Sequence, residues 1–207
     1  MVTSLGFTPM DFEVFAVEGF NERMQQIYAH VRPKLIRLGE ELAPVLARKL
    51  HLEFFAHVAK HARRTVNPPP ETWAAFGPSP QGYKRYGYLA LCISGAGLHA
   101  RAVVKAEADK RVEMGRGLQS RAAQLAKDFS GAPIARYDRW DCKTLPEPLP
   151  AKKEFFHGLG DALNKKSGGI DVGFGWPVRE SVKLDRDELL DAFRELAPLY
   201  RILRAVA

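Results

Sequence analysis

The chain reads as an α+β protein: a single domain with a largely antiparallel sheet of about six strands, covered by a long N-terminal helical region and further helices. Three observations predict this. Apolar residues recur at alternating spacings of four and three over Met24 to Val45. Two alternating segments flank the turn signal Ser94-Gly95-Ala96-Gly97, as in a β-hairpin. Long β-branched runs alternating with helices, the mark of a doubly wound parallel sheet, are missing. The 207 residues suffice for one large domain, and neither half holds an obviously complete core, so 1–207 is taken as one unit with a possible extended connection at 145–150.

Thr8-Pro9 predicts an N-cap and first-turn proline, opening a short helix through Asp11-Phe12-Glu13-Val14-Phe15. A helical region follows from about Asn21 to Leu50, with Met24, Tyr28, Val31, Leu35, Leu38, Leu42 and Val45 as its stripe. Pro33 and Pro44 each remove a helical hydrogen bond, which favours a kinked helix or two helices lying on the sheet over a straight coiled-coil seam. His57 to Val66 can be read as helix, with His57 and His61 one turn apart, or as strand; β-branched Thr65-Val66 favours strand. Asn67-Pro68-Pro69-Pro70 ends either element, and Thr72 to Phe76 is strand-like.

Tyr86 to Ile93 and Leu98 to Val104 form the expected hairpin, with His99, Arg101 and Lys105 mostly opposite the apolar face. Leu118, Ala122, Leu125 and Phe129 mark a helix closed by Gly131 and Pro133, and Ile134 to Trp140 is a short strand. Leu145-Pro146-Glu147-Pro148-Leu149-Pro150 is extended. Phe155, Leu159 and Leu163 mark a helix stopped by Gly168-Gly169. Ile170, Val172, Phe174 and Trp176 then alternate with Asp171, Gly173 and Gly175, so one face of that strand is bare; close packing of another segment is favoured there over a ligand. Asp185-Arg186-Asp187-Glu188 resembles a capping box for a last helix carrying Leu189, Phe193, Leu196, Tyr200 and Leu203.

Composition is that of an ordinary globular protein, 46% hydrophobic and 27% charged. Cys92 and Cys142 have no CxxC spacing; two lone thiols without a secretory signal point to a reduced cytoplasm. No apolar run approaches the roughly 20 residues that cross a bilayer, so no membrane partner is expected. The net charge is +7, and it is not spread evenly. Between His57 and Tyr86, Lys60, Arg63, Arg64, Lys84 and Arg85 face one acid, Glu71, so this stretch carries +4. Trp73, Phe76, Tyr83 and Tyr86 are interleaved with these cations.

Guanidinium groups suit bidentate phosphate contact, and cations beside aromatics suit a base and its phosphates. The candidate ligand-binding set is therefore His57, His61, Arg63, Arg64, Trp73, Lys84 and Arg85, and the expected partner is an anionic small molecule or nucleic acid. A metal is not expected. Val58 stands where a helical zinc-protease pattern needs glutamate after the first histidine, and Lys60 and Arg63 would repel a dication. No phosphate-cradling GxxxxGK[ST], no GxGxxG and no GxSxG occurs, so no cofactor and no catalytic residue is assigned. Two other readings stand beside binding: a phosphate-ester hydrolase with His57 or His61 as acid–base, and an oligomerisation protein using the 24–45 heptads.

The segments HVAKHARRTVNPP (57–69), TWAAFGPS (72–79) and GYK (82–84) resemble the signature of the YktB-like family of uncharacterised bacterial proteins, UPF0637. The likeness extends to Asp11 to Phe15, Arg23-Met24 and Leu38 to Pro44, and returns at Lys152 to Phe155 and Leu196 to Tyr200. It implies a single α+β domain of a cytoplasmic bacterial protein and carries over no activity and no catalytic residue.

Overall fold

The computed structural model describes residues 4–62, 64–138 and 140–204. Seven strands form one antiparallel sheet: β1 (Phe55–Val58), β2 (Glu71–Gly77), β3 (Tyr88–Ser94), β4 (Gly97–Val104), β5 (Pro133–Arg136), β6 (Leu149–Pro150) and β7 (Ile170–Pro177). Their order is β1-β2-β3-β4-β7-β5-β6. The strand beyond the expected six is β6, where the extended stretch at 145–150 pairs Leu149 with Ile134. The helices are α1 (Pro9–Glu13), α2 (Phe20–Gln26), α3 (Arg32–Leu50), α4 (Arg111–Ser120), α5 (Ala122–Asp128), α6 (Lys153–Asn164), α7 (Val178–Ser181) and α8 (Arg186–Arg204).

The pleat sorts the sheet into two faces. Leu89, Leu91 and Ile93 of β3 and Leu98, Ala100, Ala102 and Val104 of β4 are fully buried, in one core cluster with Leu35, Leu42, Phe193 and Leu196 of the helices. Helices α3 and α8 pack directly on this face. The expected seam is spent here: Met24, Val31, Leu35, Leu38 and Leu42 are buried in the protein's own core, and Tyr28 alone among the seven is exposed. The helical region is interrupted by a π turn at Ile27–Val31 before Pro33, which separates α2 from α3.

The capping signal at Asp185 acts as read: its Oδ1 accepts from the N–H groups of Asp187 and Glu188 at 2.8 and 2.9 Å. Thr8 stands at the N-cap of α1, but its side chain caps no N–H; Asp11 instead accepts from the Thr8 N–H at 2.6 Å and from its hydroxyl at 3.0 Å. Two readings need correction. The strand expected over 57–66 ends at Val58, because the chain turns out of the sheet through His61 in the left-handed region (φ +50°). The single helix expected to reach Phe129 breaks at Arg121 into α4 and α5.

Candidate functional site

The face turned away from α3 and α8 carries His57 on β1, Glu71, Trp73 and Ala75 on β2, Cys92 on β3, His99 and Arg101 on β4, and Asp171, Gly173 and Gly175 on β7. Register sets them in rows: His57, Ala75, Ala90, Arg101 and Gly173 in one, Trp73, Cys92, His99 and Gly175 in the next. Two cavities open on this side of the molecule.

The first, of about 780 Å³, lies beyond the end of β1, between the turn at His61 and the 78–86 loop. His57, His61, Arg64, Trp73, Lys84 and Arg85, all expected from sequence, line it together with Lys60, Tyr83 and Tyr86. Arg63, the remaining expected residue, lies outside the described residues. The walls are held by specific contacts. His57 Nε2 donates to the Ser79 carbonyl at 2.8 Å, tying β1 to the loop. His61 Nε2 meets the Thr72 hydroxyl at 3.0 Å, and its ring stands edge-on to Trp73 with centroids 5.4 Å apart. The Trp73 indole N–H donates to Tyr83 Oη at 3.1 Å, and Tyr83 packs edge-to-face on buried Tyr88 at 4.7 Å.

The N-terminal helices buttress the same turn. Arg32 donates to the Ala59 carbonyl at 2.7 Å and Tyr28 to the Lys60 carbonyl at 3.1 Å. Sequence reasoning missed both, since nothing in a linear pattern links position 28 to position 60.

Charge around this cavity has one sign. Lys60, Arg64, Lys84 and Arg85 line it without an acidic side chain. Arg85 pairs with Asp109 outside, at 2.7 Å. Among the described residues no carboxylate lies within ion-pair distance of Lys60, Arg64 or Lys84. Burial, then Arg64, pushes the His61 imidazole down to about 4, so it is neutral near pH 7.

Glu71, the single acid of the run, is turned away. It lies 2.8 Å from Arg101 Nη2, and Asp171 Oδ2 lies 3.3 Å from Nη1. Arg101 is 1% exposed, and its guanidinium stacks on Tyr137 at 4.0 Å and on Trp140 at 5.1 Å. His99 is buried beside it, bonded to Ser94 Oγ at 3.0 Å and pushed well below its ordinary value by burial and Arg101. Buried Nε of Arg101, Nδ1 of His99 and Oδ1 of Asp171 have no hydrogen-bond partner. The bare strand face is filled by close packing: a Cβ on Gly175 would meet Tyr137 Oη at 2.6 Å and His99 Nδ1 at 3.2 Å.

The second cavity, of about 1030 Å³, is lined among others by Lys105, Arg136, Asp138, Trp140, Lys165 and Asp171. Its charges are of both signs and partly paired, Arg136 gripping Asp138 through two 3.0 Å bonds. Among the described residues, no three His, Cys, Asp or Glu side chains gather to hold a metal. Cys92 and Cys142 are free; burial raises both thiols, Cys142 to about 12, so neither is an activated thiolate.

Fold and site together define an α+β protein whose antiparallel sheet is covered by helices on one face and carries a cationic, aromatic-walled cavity on the other. The model of a domain of unknown function, DUF1054, matches residues 7–200. A UPF0637 protein of Bacillus velezensis is 32% identical over the full length of both chains, and one of Lysinibacillus sphaericus is 34% identical over 95% of each. One of Oceanobacillus iheyensis is 48% identical over 88 residues, covering 42% of this chain and 43% of its own. The chain belongs to the UPF0637 family. No helix among the described residues is long and apolar enough to cross a membrane.

Proposed function

We propose that this protein is a binding module for a phosphate-bearing anion, a nucleotide or nucleic acid, seated in the 780 Å³ cavity, and that it works in a reducing cytoplasm. One observation carries the reading: the cavity is ringed by cations with no acid among its lining side chains. Unpaired cations around a concave surface concentrate anions, and phosphate accepts from guanidinium and ammonium donors alike. Binding is favoured over hydrolysis. His57 is engaged with a backbone carbonyl, and His61 is kept neutral with its Nε2 already at the Thr72 hydroxyl. The free cysteines fit the compartment.

Titration calorimetry with sodium tripolyphosphate at two salt concentrations tests the anion site. The expected result is binding that weakens as salt rises and is lost in an Arg64→Ala/Lys84→Ala variant, whose exposed side chains leave the core untouched. Binding that is unchanged in that variant overturns the proposal.

A further inference from the structure

Resting on that reading, we infer that the ligand is a single nucleotide, its base stacked on Trp73 and its phosphates held at the rim by Lys60, Arg64 and Lys84, and that an extended strand is not accommodated.

The aromatic wall is built before any ligand arrives. The Trp73 indole is fixed at its N–H by Tyr83, edge-on by His61, and on one face by Lys105, whose Nζ lies 5.8 Å from the ring centroid. Tyr83 is itself wedged between Tyr88 and His57. Trp73 lines the cavity, so its indole is the flat surface offered to one ring there, and the rigidity of the wall lowers the ordering cost of binding. Gln81 and Ser79 lie on the same rim, within the lining, as polar groups for a base edge.

Size and surroundings argue against a strand. A volume of about 780 Å³ is that of a pocket for one small ligand. Single-strand platforms need a groove that tracks roughly four or more nucleotides with successive aromatic steps. Here the next positions along the row from Trp73 are Cys92 and His99, both buried, with His99 roofed by Tyr137 and Trp140 at 5.2 and 4.9 Å. Across the sheet the stacking surface therefore ends at Trp73; the other aromatics of the lining, Tyr83 and Tyr86, belong to the 78–86 loop.

The test compares three probes on the whole protein by calorimetry: ATP, sodium tripolyphosphate and a twelve-residue oligothymidylate. Tripolyphosphate is at least as highly charged as ATP, so charge alone cannot favour ATP. The inference expects ATP to bind about 10-fold more tightly than tripolyphosphate. It also expects Trp73→Leu to bring ATP to the tripolyphosphate level while leaving tripolyphosphate unchanged. Saturation-transfer NMR on the unaltered protein, in which the adenine protons must receive more saturation than the ribose protons, keeps the inference open to refutation if Trp73→Leu misfolds. Equal affinity for ATP and tripolyphosphate overturns the stacking inference and leaves the anion site standing. An oligonucleotide more than 10-fold tighter than ATP overturns it in favour of a strand. Absence of binding by all three overturns the anion site itself, and this inference with it.

Discussion

Replacing Arg101 with methionine isolates the buried ion cluster beneath the open sheet face. Methionine keeps the unbranched apolar stem of the side chain and removes the guanidinium with its charge. Two carboxylates then lose their counter-ion where water cannot replace it: the side chains of Asp171 and Glu71 are 8% and 18% exposed. Breaking a buried pair by deleting one partner costs about 3–5 kcal/mol. Glu71 keeps some solvent and Lys105 remains 3.8 Å from Asp171, so the lower half, about 3–4 kcal/mol, applies here. For a domain of this size that lowers Tm by about 6–16 °C.

The loss also depends on pH. Burial raises the Asp171 carboxyl above 3.8, and Arg101 pulls the other way; in the variant it climbs further. A carboxyl whose folded pKa exceeds its unfolded value binds more protons when folded, so its stabilising contribution is complete at low pH and is lost as pH rises through the folded pKa. The gap between Arg101→Met and the parent should therefore widen from pH 5 to pH 8, measured by urea unfolding followed by circular dichroism. A variant within about 1 kcal/mol of the parent at both pH values would refute the assignment of Arg101 as the counter-ion of this face.

Two further predictions concern neighbouring groups. His61 should titrate near 4 by the NMR shift of its Cε1 proton, assigned with His61→Gln, and stability contributed by its neutral form should decline as pH falls from 6.5 towards about 4; a midpoint at 6.5 or above contradicts the burial described. Gly175→Ala should destabilise by about 1–3 kcal/mol and alter the near-ultraviolet dichroism of Tyr137 and Trp140, because the new methyl falls 2.6 Å from Tyr137 Oη; an unchanged spectrum and Tm would show that this packing is looser than described.

Most of the fold was legible because it rests on short-range periodicity. The hairpin, the glycine-alternating β7, the capping box at Asp185 and the apolar stripe of α8 are each visible within twenty residues. The stripe from Met24 to Val45 was equally visible, yet an apolar stripe has no label for its partner, and only the fold shows that it faces its own sheet. The strand reading of 59–66 failed on backbone conformation: β-branched Thr65-Val66 is outweighed by the turn at His61 and the prolines that follow. What was not legible is pairing across the sheet. Arg101, Glu71 and Asp171 stand 30 and 70 residues apart, and their meeting depends on the register of β2, β3, β4 and β7.

That cross-sheet pairing changes how the charged run is to be counted. In sequence, Glu71 offsets one of five cations. In the fold its carboxylate serves Arg101 on the adjoining part of the sheet and does not line the cavity. Arg85 is in turn offset by Asp109, an acid well beyond the run. Among the described residues of the run, the cations that remain unmatched are Lys60, Arg64 and Lys84, brought to one rim by the turn at His61 and by the loop that His57 ties down. The same register that buries Arg101 with two acids thus keeps those acids from neutralising the cavity, so the ion cluster and the cationic rim are two consequences of one strand arrangement. If the proposed anion site is right, a substitution in the cluster that frees Glu71 to swing towards His61 weakens tripolyphosphate binding, read by titration calorimetry, without touching any lining residue.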